Sequence, residues 1–336
     1  MFRRRPHKYS IQATGLTPIR SFFPLFSTYI YNLVNDLPSI SYTTTSVLDD
    51  FQSDAVVHLE LRTTPRAIPS ANITNARYID IVLSCISAHN ASQPPSGMHT
   101  SLILSVDRRN SLQEALHVVD LAVARRAQGV VGLDLCGDPA RGPVAVFAPV
   151  FAKAKAAGLK VTLHFAEAPV SASDEELWTL LSWGPERIGH AIHVKEELKR
   201  EVVRRRIGVE ICLSCNVHAR MITGGFGEHH LGWWKGAGVG VAPSVSVGPG
   251  KCGPEDLEMQ TDGVLQTDDV GVFCSPLSDE YYLAALHFGL SRSDVRQLCE
   301  GAVDVVFGDE AKKQRLRDLY ASWDSWTRHQ LDRACS

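Results

Sequence analysis

The sequence predicts an α/β fold built on a parallel sheet, and three observations carry that prediction. From residue 55 onward, short apolar runs alternate with amphipathic stretches. The runs are nearly continuous in Val, Ile and Leu, as in strands buried on both faces. Several of them end in His, Asp or Glu, where parallel α/β barrels carry their chemistry.

The predicted strands are Val56–Leu61, Leu102–Val106, Val130–Leu135, Val161–Phe165, Ile188–His190, Val209–Leu213 and Val264–Gln266. Helical patterns fall between them over Asn75–His89, Leu112–Arg126, Val146–Ala157, Ser173–Trp183 and Lys195–Arg206. Ser173 with Glu176 fits a capping box, and Gly158 sits where a helix would stop. The tail from Glu280 onward reads as helical throughout. Repeated strand–helix units of this size make a parallel sheet, and seven strands are one short of a closed (β/α)8 barrel. The expected organisation is a disordered leader over 1–19, then one barrel domain over 20–336. The Gly-, Pro- and Ser-rich stretch Gly236–Asp262 reads as an inserted loop, since it is long and aperiodic for a compact domain.

With 336 residues, 44% hydrophobic and 21% charged, the chain is long enough for one large core. A net charge of −3 gives no field for nucleic acid. The apolar run Phe22–Val34 holds Pro24 and Asn32 and is too short to span a bilayer. Eight cysteines lie scattered with no framework of spacings, which points to a reducing, cytoplasmic setting. Cys212 and Cys215 form an isolated C-x-x-C that reads as buried strand thiols.

The chemistry concentrates at the strand ends. His164 and Glu167 lie three apart, His190 ends a second strand, and Asp268-Asp269 ends the last. Imidazole and carboxylate are zinc donors, and a bound zinc lowers the pKa of water to ~7. A nearby glutamate such as Glu167 can then carry protons to a leaving group. Adjacent residues on a strand face opposite ways, so Asp268 and Asp269 are expected to serve different pockets. The segment Glu60–Arg66 offers Thr63, Thr64 and the guanidinium groups of Arg62 and Arg66, which suit a phosphate or ribose as well as a solvated loop. Gly137, after another strand, permits close approach of backbone to a planar ligand, or a plain turn. His193, His229 and His230 are set aside, because adjacent histidines rarely share one ion on regular structure.

These strings together resemble the adenosine/AMP deaminase family of the amidohydrolase superfamily, within it the adenosine deaminase-like branch acting on N6-methyl-AMP. The likeness is carried by HLELRTTPR (58–66), GLDLCGDP (132–139), VTLHFAEAP (161–169), ERIGHA (186–191), VEICLSCNV (209–217) and LQTDDVGVF (265–273). It implies a TIM barrel of the amidohydrolase type and a zinc-dependent deamination of an N6-substituted purine nucleotide, giving IMP and an amine. His164 and Asp268 match the family's zinc ligands and Glu167 its proton-shuttling glutamate. His190 matches the histidine that orients the attacking hydroxide, and Asp269 the aspartate that contacts the purine. Gly137 matches the glycine under the purine ring. Thr63, Thr64 and Arg66 match the ribose-phosphate end, and Tyr31 a substrate-facing helical position. The resemblance further implies one zinc per chain, a purine nucleotide as the small-molecule partner, no membrane or nucleic-acid partner, and a monomer.

One departure stands out. The family takes two further zinc ligands from a His-x-His on its first strand, and no His-x-His occurs among the 13 histidines here. With two ligands where a catalytic zinc needs at least three, weak zinc binding is expected. The departure is expected to mean a truncated gene product or a descendant that lost catalysis and binds a nucleotide or protein.

Overall fold

The computed structural model describes residues 26–236, 264–265, 267–268 and 273–334. Seven strands form one sheet: β1 His58–Thr63, β2 His99–Asp107, β3 Val130–Cys136, β4 Lys160–Phe165, β5 Arg187–His190, β6 Gly208–Ile211 and β7 Val264–Leu265. They lie in sequential order, each parallel to the next. A sequential all-parallel sheet with helices between its strands is the wall of a β/α barrel. Among the described residues β1 and β7 do not pair, so the wall is open, as seven strands require.

The helices are α1 Leu37–Ser53, α2 Asn75–Ser92, α3 Leu112–Ala124, α4 Ala148–Ala156, α5 Asp174–Ser182, α6 Glu196–Arg204, α7 Leu213–His218, α8 Leu231–Gly236, α9 Leu277–Phe288, α10 Arg292–Asp304 and α11 Glu310–Ala334. Local chemistry sets their starts. Asp36, Ser111 and Ser291 each complete a capping box, a motif that satisfies two orphan backbone donors at once. At α5 only half the expected box forms. Ser173 accepts from the Glu176 amide at 3.2 Å, but the Glu176 carboxylate turns to Arg108 at 2.7 Å. The tail is helical as expected, in three helices, and Gly289 at a left-handed φ of +61° ends α9. Strand β6 also stops sooner than predicted: Cys212 precedes α7 and Cys215 lies on it, so these buried thiols do not belong to a strand. The leader over 1–19 and most of the stretch near 236–262 lie outside the described residues.

The outer layer between sheet and helices is aliphatic, with Leu104, Leu133, Val161, Leu163, Ile188 and Val209 each 0% exposed. The barrel interior is ionic. Arg187, fully buried on β5, lies 2.6 Å from Glu60 and 2.8 Å from Glu210, with its guanidinium 3.6 Å from the Phe307 ring centre. Arg62 hydrogen-bonds the same Glu210 oxygen. Burying charges is costly unless they are paired, and here each guanidinium has a carboxylate partner. Burial raises Glu60, but the Arg187 charge and His58 outweigh it and hold the carboxyl at about 2. This overturns one expectation: Arg62 faces Glu210 and Asp134 inside the wall and is not free to hold a phosphate beside Arg66.

Candidate active site

His164 is the penultimate residue of β4, opposite Gly189 of β5. A β-carbon at Gly189 would meet Glu210 Oε2 at 3.2 Å, so a side chain there would crowd the buried ionic layer beneath the site. His164 Nδ1 lies 3.1 Å from Asp134 Oδ1, and Asp134 is also held by the Ser105 hydroxyl at 3.0 Å. Burial lowers the His164 imidazole, but the Asp134 charge and hydrogen bond, with the Glu167 charge, raise it to about 9. The same pairing holds Asp134 below the usual carboxylate range despite its burial.

Past β4 the chain turns through Ala166 at φ +49° and presents Glu167, which is buried. At the end of β5, His190 and Ala191 also take left-handed conformations, at φ +62° and +50°, and Asp268 follows β7 at φ +51°. Such strain in residues other than glycine gathers at functional sites. It aims the side chains inward: His190 Nε2 stands 3.7 Å from Glu167 Oε1, and the His164 and His190 rings are 5.3 Å apart between centres. One ligand atom each from His164, His190 and Asp268 falls within 4.8 Å of the others. Cys215 Sγ donates to Asp268 Oδ2 at 2.8 Å.

His164 and Asp268 offer a divalent cation two of the three or more ligands that a catalytic zinc site uses. With Nδ1 donating to Asp134, His164 presents Nε2 to the site, and a bound cation would take the place of the Nε2 proton, the usual backing of a metal-bound imidazole. Asp268 adds a carboxylate. The surrounding charge is also lopsided: Glu60, Asp134, Glu167, Glu210 and Asp268 outnumber Arg62 and Arg187. What His190 offers depends on its own neighbours, Asn216 and the histidine pair beyond it.

The residues assigned to the ribose-phosphate end also come together. Thr63 Oγ1 lies 3.1 Å from the Tyr78 hydroxyl, and Thr64 Oγ1 lies 3.5 Å from Cys136 Sγ. The Arg66 guanidinium stacks 4.6 Å from the Tyr31 ring centre and 5.9 Å from that of Tyr78. Tyr31 also reaches Arg109, which chelates Asp107. Burial raises the Tyr31 phenol, and the Arg109 contact only partly offsets it. Gly137 takes φ +98°, and a β-carbon there would stand 2.7 Å from Asp107 Oδ1. Both facts require glycine. Asp269 lies outside the described residues.

Sequence reasoning missed four contributors. Asp134, inside an apolar strand, reads as an ordinary β3 residue until its contact with His164 is seen. Asn216 sits fully buried on α7 with its amide Oδ1 placed 3.2 Å from His190 Nδ1. His229, set aside as a metal ligand, contacts the other end of that amide at 3.0 Å, and His230 Nε2 donates to the His190 carbonyl at 2.6 Å. Burial and the charges of neighbouring histidines hold His229 down at about 2. His230 lies at about 4, burial outweighing its bond to the His190 carbonyl. The His229-His230 pair was visible as a motif, but its target was not.

The adenosine deaminase family model matches residues 10–242. The N6-methyl-AMP deaminase of Danio rerio is 33% identical over 335 residues, covering 96% of this chain and 88% of that protein. The N6-mAMP deaminase of Arabidopsis thaliana is 32% identical, covering 90% and 84%. The crystal structure of Arabidopsis ADAL complexed with IMP superimposes with a TM-score of 0.79 at 32% identity, over 91% of this chain and 83% of that one. With the open wall of parallel strands and the cluster at its ends, these matches show that the chain belongs to the adenosine deaminase family.

Proposed function

We propose that this protein is a hydrolytic deaminase of N6-substituted purine nucleotides, taking N6-methyl-AMP and water to IMP and methylamine. The observation that carries this reading is the convergence of Glu167 and His190 with His164 and Asp268 at adjoining strand ends. The names of the relatives, and the IMP held by the Arabidopsis structure, support the substrate class. Zinc is the cation this reading assigns, held by His164 and Asp268; when bound it makes water a nucleophile at neutral pH.

The rest falls to the chain's own side chains. Glu167, buried and within reach of His190, gives a proton to a ring nitrogen of the purine and then helps the amine leave. His190 orients the attacking water. Gly137, with no side chain, lets the purine plane lie against the end of β3. Asp269 contacts the purine from the end of the last strand. Thr63, Thr64, Arg66 and Tyr31 bind the ribose-phosphate end, where charge-assisted hydrogen bonds are the stronger kind. The reading places the protein in the cytoplasm as a monomer; no helix among the described residues is long and apolar enough to cross a membrane.

A second reading is favoured by one sequence fact, the lack of any His-x-His. On it, the barrel binds a nucleotide or protein without turning it over. Incubation with N6-methyl-AMP, with and without supplied zinc, decides between them. Product in the zinc arm supports the deaminase. Saturable nucleotide binding with no product supports the second reading.

A further inference from the structure

We propose that Asn216 and His229 are positioning residues that fix His190 as the tautomer protonated on Nε2. His190 then offers the site a hydrogen-bond donor and not a lone pair for a metal.

The backbone N–H of Leu231 donates to His229 Nδ1 at 3.0 Å. An amide N–H can only donate, so this nitrogen is the bare one and the ring carries its proton on Nε2. As placed, Asn216 Nδ2 stands 3.0 Å from His229 Nε2 and Asn216 Oδ1 lies 3.2 Å from His190 Nδ1. A half-turn of the amide exchanges its oxygen and nitrogen with almost no change of shape, so its partners decide the orientation. A protonated His229 Nε2 requires the oxygen. The NH2 group then faces His190 Nδ1, which must accept. The placed orientation sets the Asn216 NH2 against the His229 Nε2–H, two donors among residues no more than 3% exposed, where unmade hydrogen bonds are costly, so the half-turned amide is the one we assign.

With Nδ1 accepting, the proton of neutral His190 sits on Nε2, the atom that stands 3.7 Å from Glu167 Oε1. His230, donating to the His190 carbonyl, steadies the strained main chain at the same residue. His164 is set the opposite way, because its Nδ1 faces a carboxylate that can only accept when ionised. Two imidazoles 5.3 Å apart are thus assigned different work by their neighbours: His164 a ligand, His190 a donor. The sharing of roles in turnover rests on the deaminase reading. The tautomer does not, and it is read without substrate, so the two can fail separately.

The test is nitrogen-15 NMR of histidine-labelled full-length protein at alkaline pH, above the value of about 9 to which Asp134 raises His164. Resonances are assigned by single His→Gln replacements. The expected spectrum has His190 and His229 both protonated on Nε2, with bare Nδ1. Supplied zinc should shift the His164 Nε2 signal and leave the His190 Nε2 proton in place. Asn216→Asp, which accepts from both rings, should put a proton on His190 Nδ1 while His229 is unchanged. A wild-type His190 protonated on Nδ1, or loss of its Nε2 proton on adding zinc, would overturn the proposal without any variant. So would an Asn216→Asp spectrum in which His190 Nδ1 stays bare.

Discussion

Asp134 Oδ1 lies 3.1 Å from His164 Nδ1, and that contact decides which nitrogen His164 presents to the site. The carboxylate fixes the ring's orientation and raises its basicity, and both favour a bound cation. Asp134→Asn keeps the shape and loses the charge. Zinc affinity, measured by competition with a chelating dye, should fall by about 10- to 100-fold, the usual range for such partners. An unchanged affinity would remove Asp134 from the account.

Glu167 is buried 3.7 Å from His190, and among the described residues no lysine or arginine forms a salt bridge with it. Its carboxyl is therefore available for proton transfer. Glu167→Gln keeps the size but cannot exchange a proton, so kcat should drop by about 10²- to 10⁴-fold. Zinc content should be unaltered. Near-normal turnover in the variant would exclude Glu167 as the shuttle.

Arg66 is already stacked on Tyr31 and Tyr78, so its guanidinium is held in place before any substrate arrives. A preorganised cation of this kind reads a phosphate well. Arg66→Ala should lower kcat/KM for N6-methyl-AMP by at least about tenfold, since hydrogen bonds to charged groups contribute ~1.5–3 kcal/mol. The nucleoside rate should barely change. Equal losses on both substrates would mean that Arg66 supports the Tyr31 turn and does not read the phosphate.

Acid should destabilise the fold through the histidine pair. Burial keeps His229 neutral down to about 2 and His230 down to about 4, whereas an unfolded chain protonates both near 6.5. Their contribution is fully present above 6.5 and is lost as pH falls through the window from 6.5 to 4. There the unfolded state binds protons that the folded state does not. Each such imidazole contributes up to about 1.4 kcal/mol per pH unit of slope. Carboxylates such as Glu60, held at about 2, add their share only below the ordinary carboxylate range. Urea unfolding at neutrality and roughly two pH units lower should show a falling midpoint, and His230→Gln should fall less. A midpoint that ignores pH in this window would contradict the assignment.

Much of the fold was legible because each strand is a short Val/Ile/Leu run, and burial on both faces demands that composition. All seven runs are strands, and His164, Glu167, His190 and Asp268 sit together because strand ends in a parallel wall converge. What could not be read was anything set by contacts across the wall. Arg62 looks like a solvated strand end until Glu210, 148 positions away, takes it. Asn216 lies in a stretch that continues a strand pattern, yet Cys212 ends that strand and the next turn is helical. His229 and His230 contact Asn216 and the His190 carbonyl, and no local pattern encodes that.

The central claim is that this chain hydrolyses the exocyclic C–N bond of an N6-substituted purine nucleotide with a cation held by His164 and Asp268. The most direct measurement is product formation from N6-methyl-AMP by the purified protein, metal-stripped and then supplied with zinc. IMP and methylamine should form in equal amounts, dependent on added zinc and abolished by a chelator. No product at saturating zinc and nucleotide, from a protein that still binds the nucleotide, would contradict it.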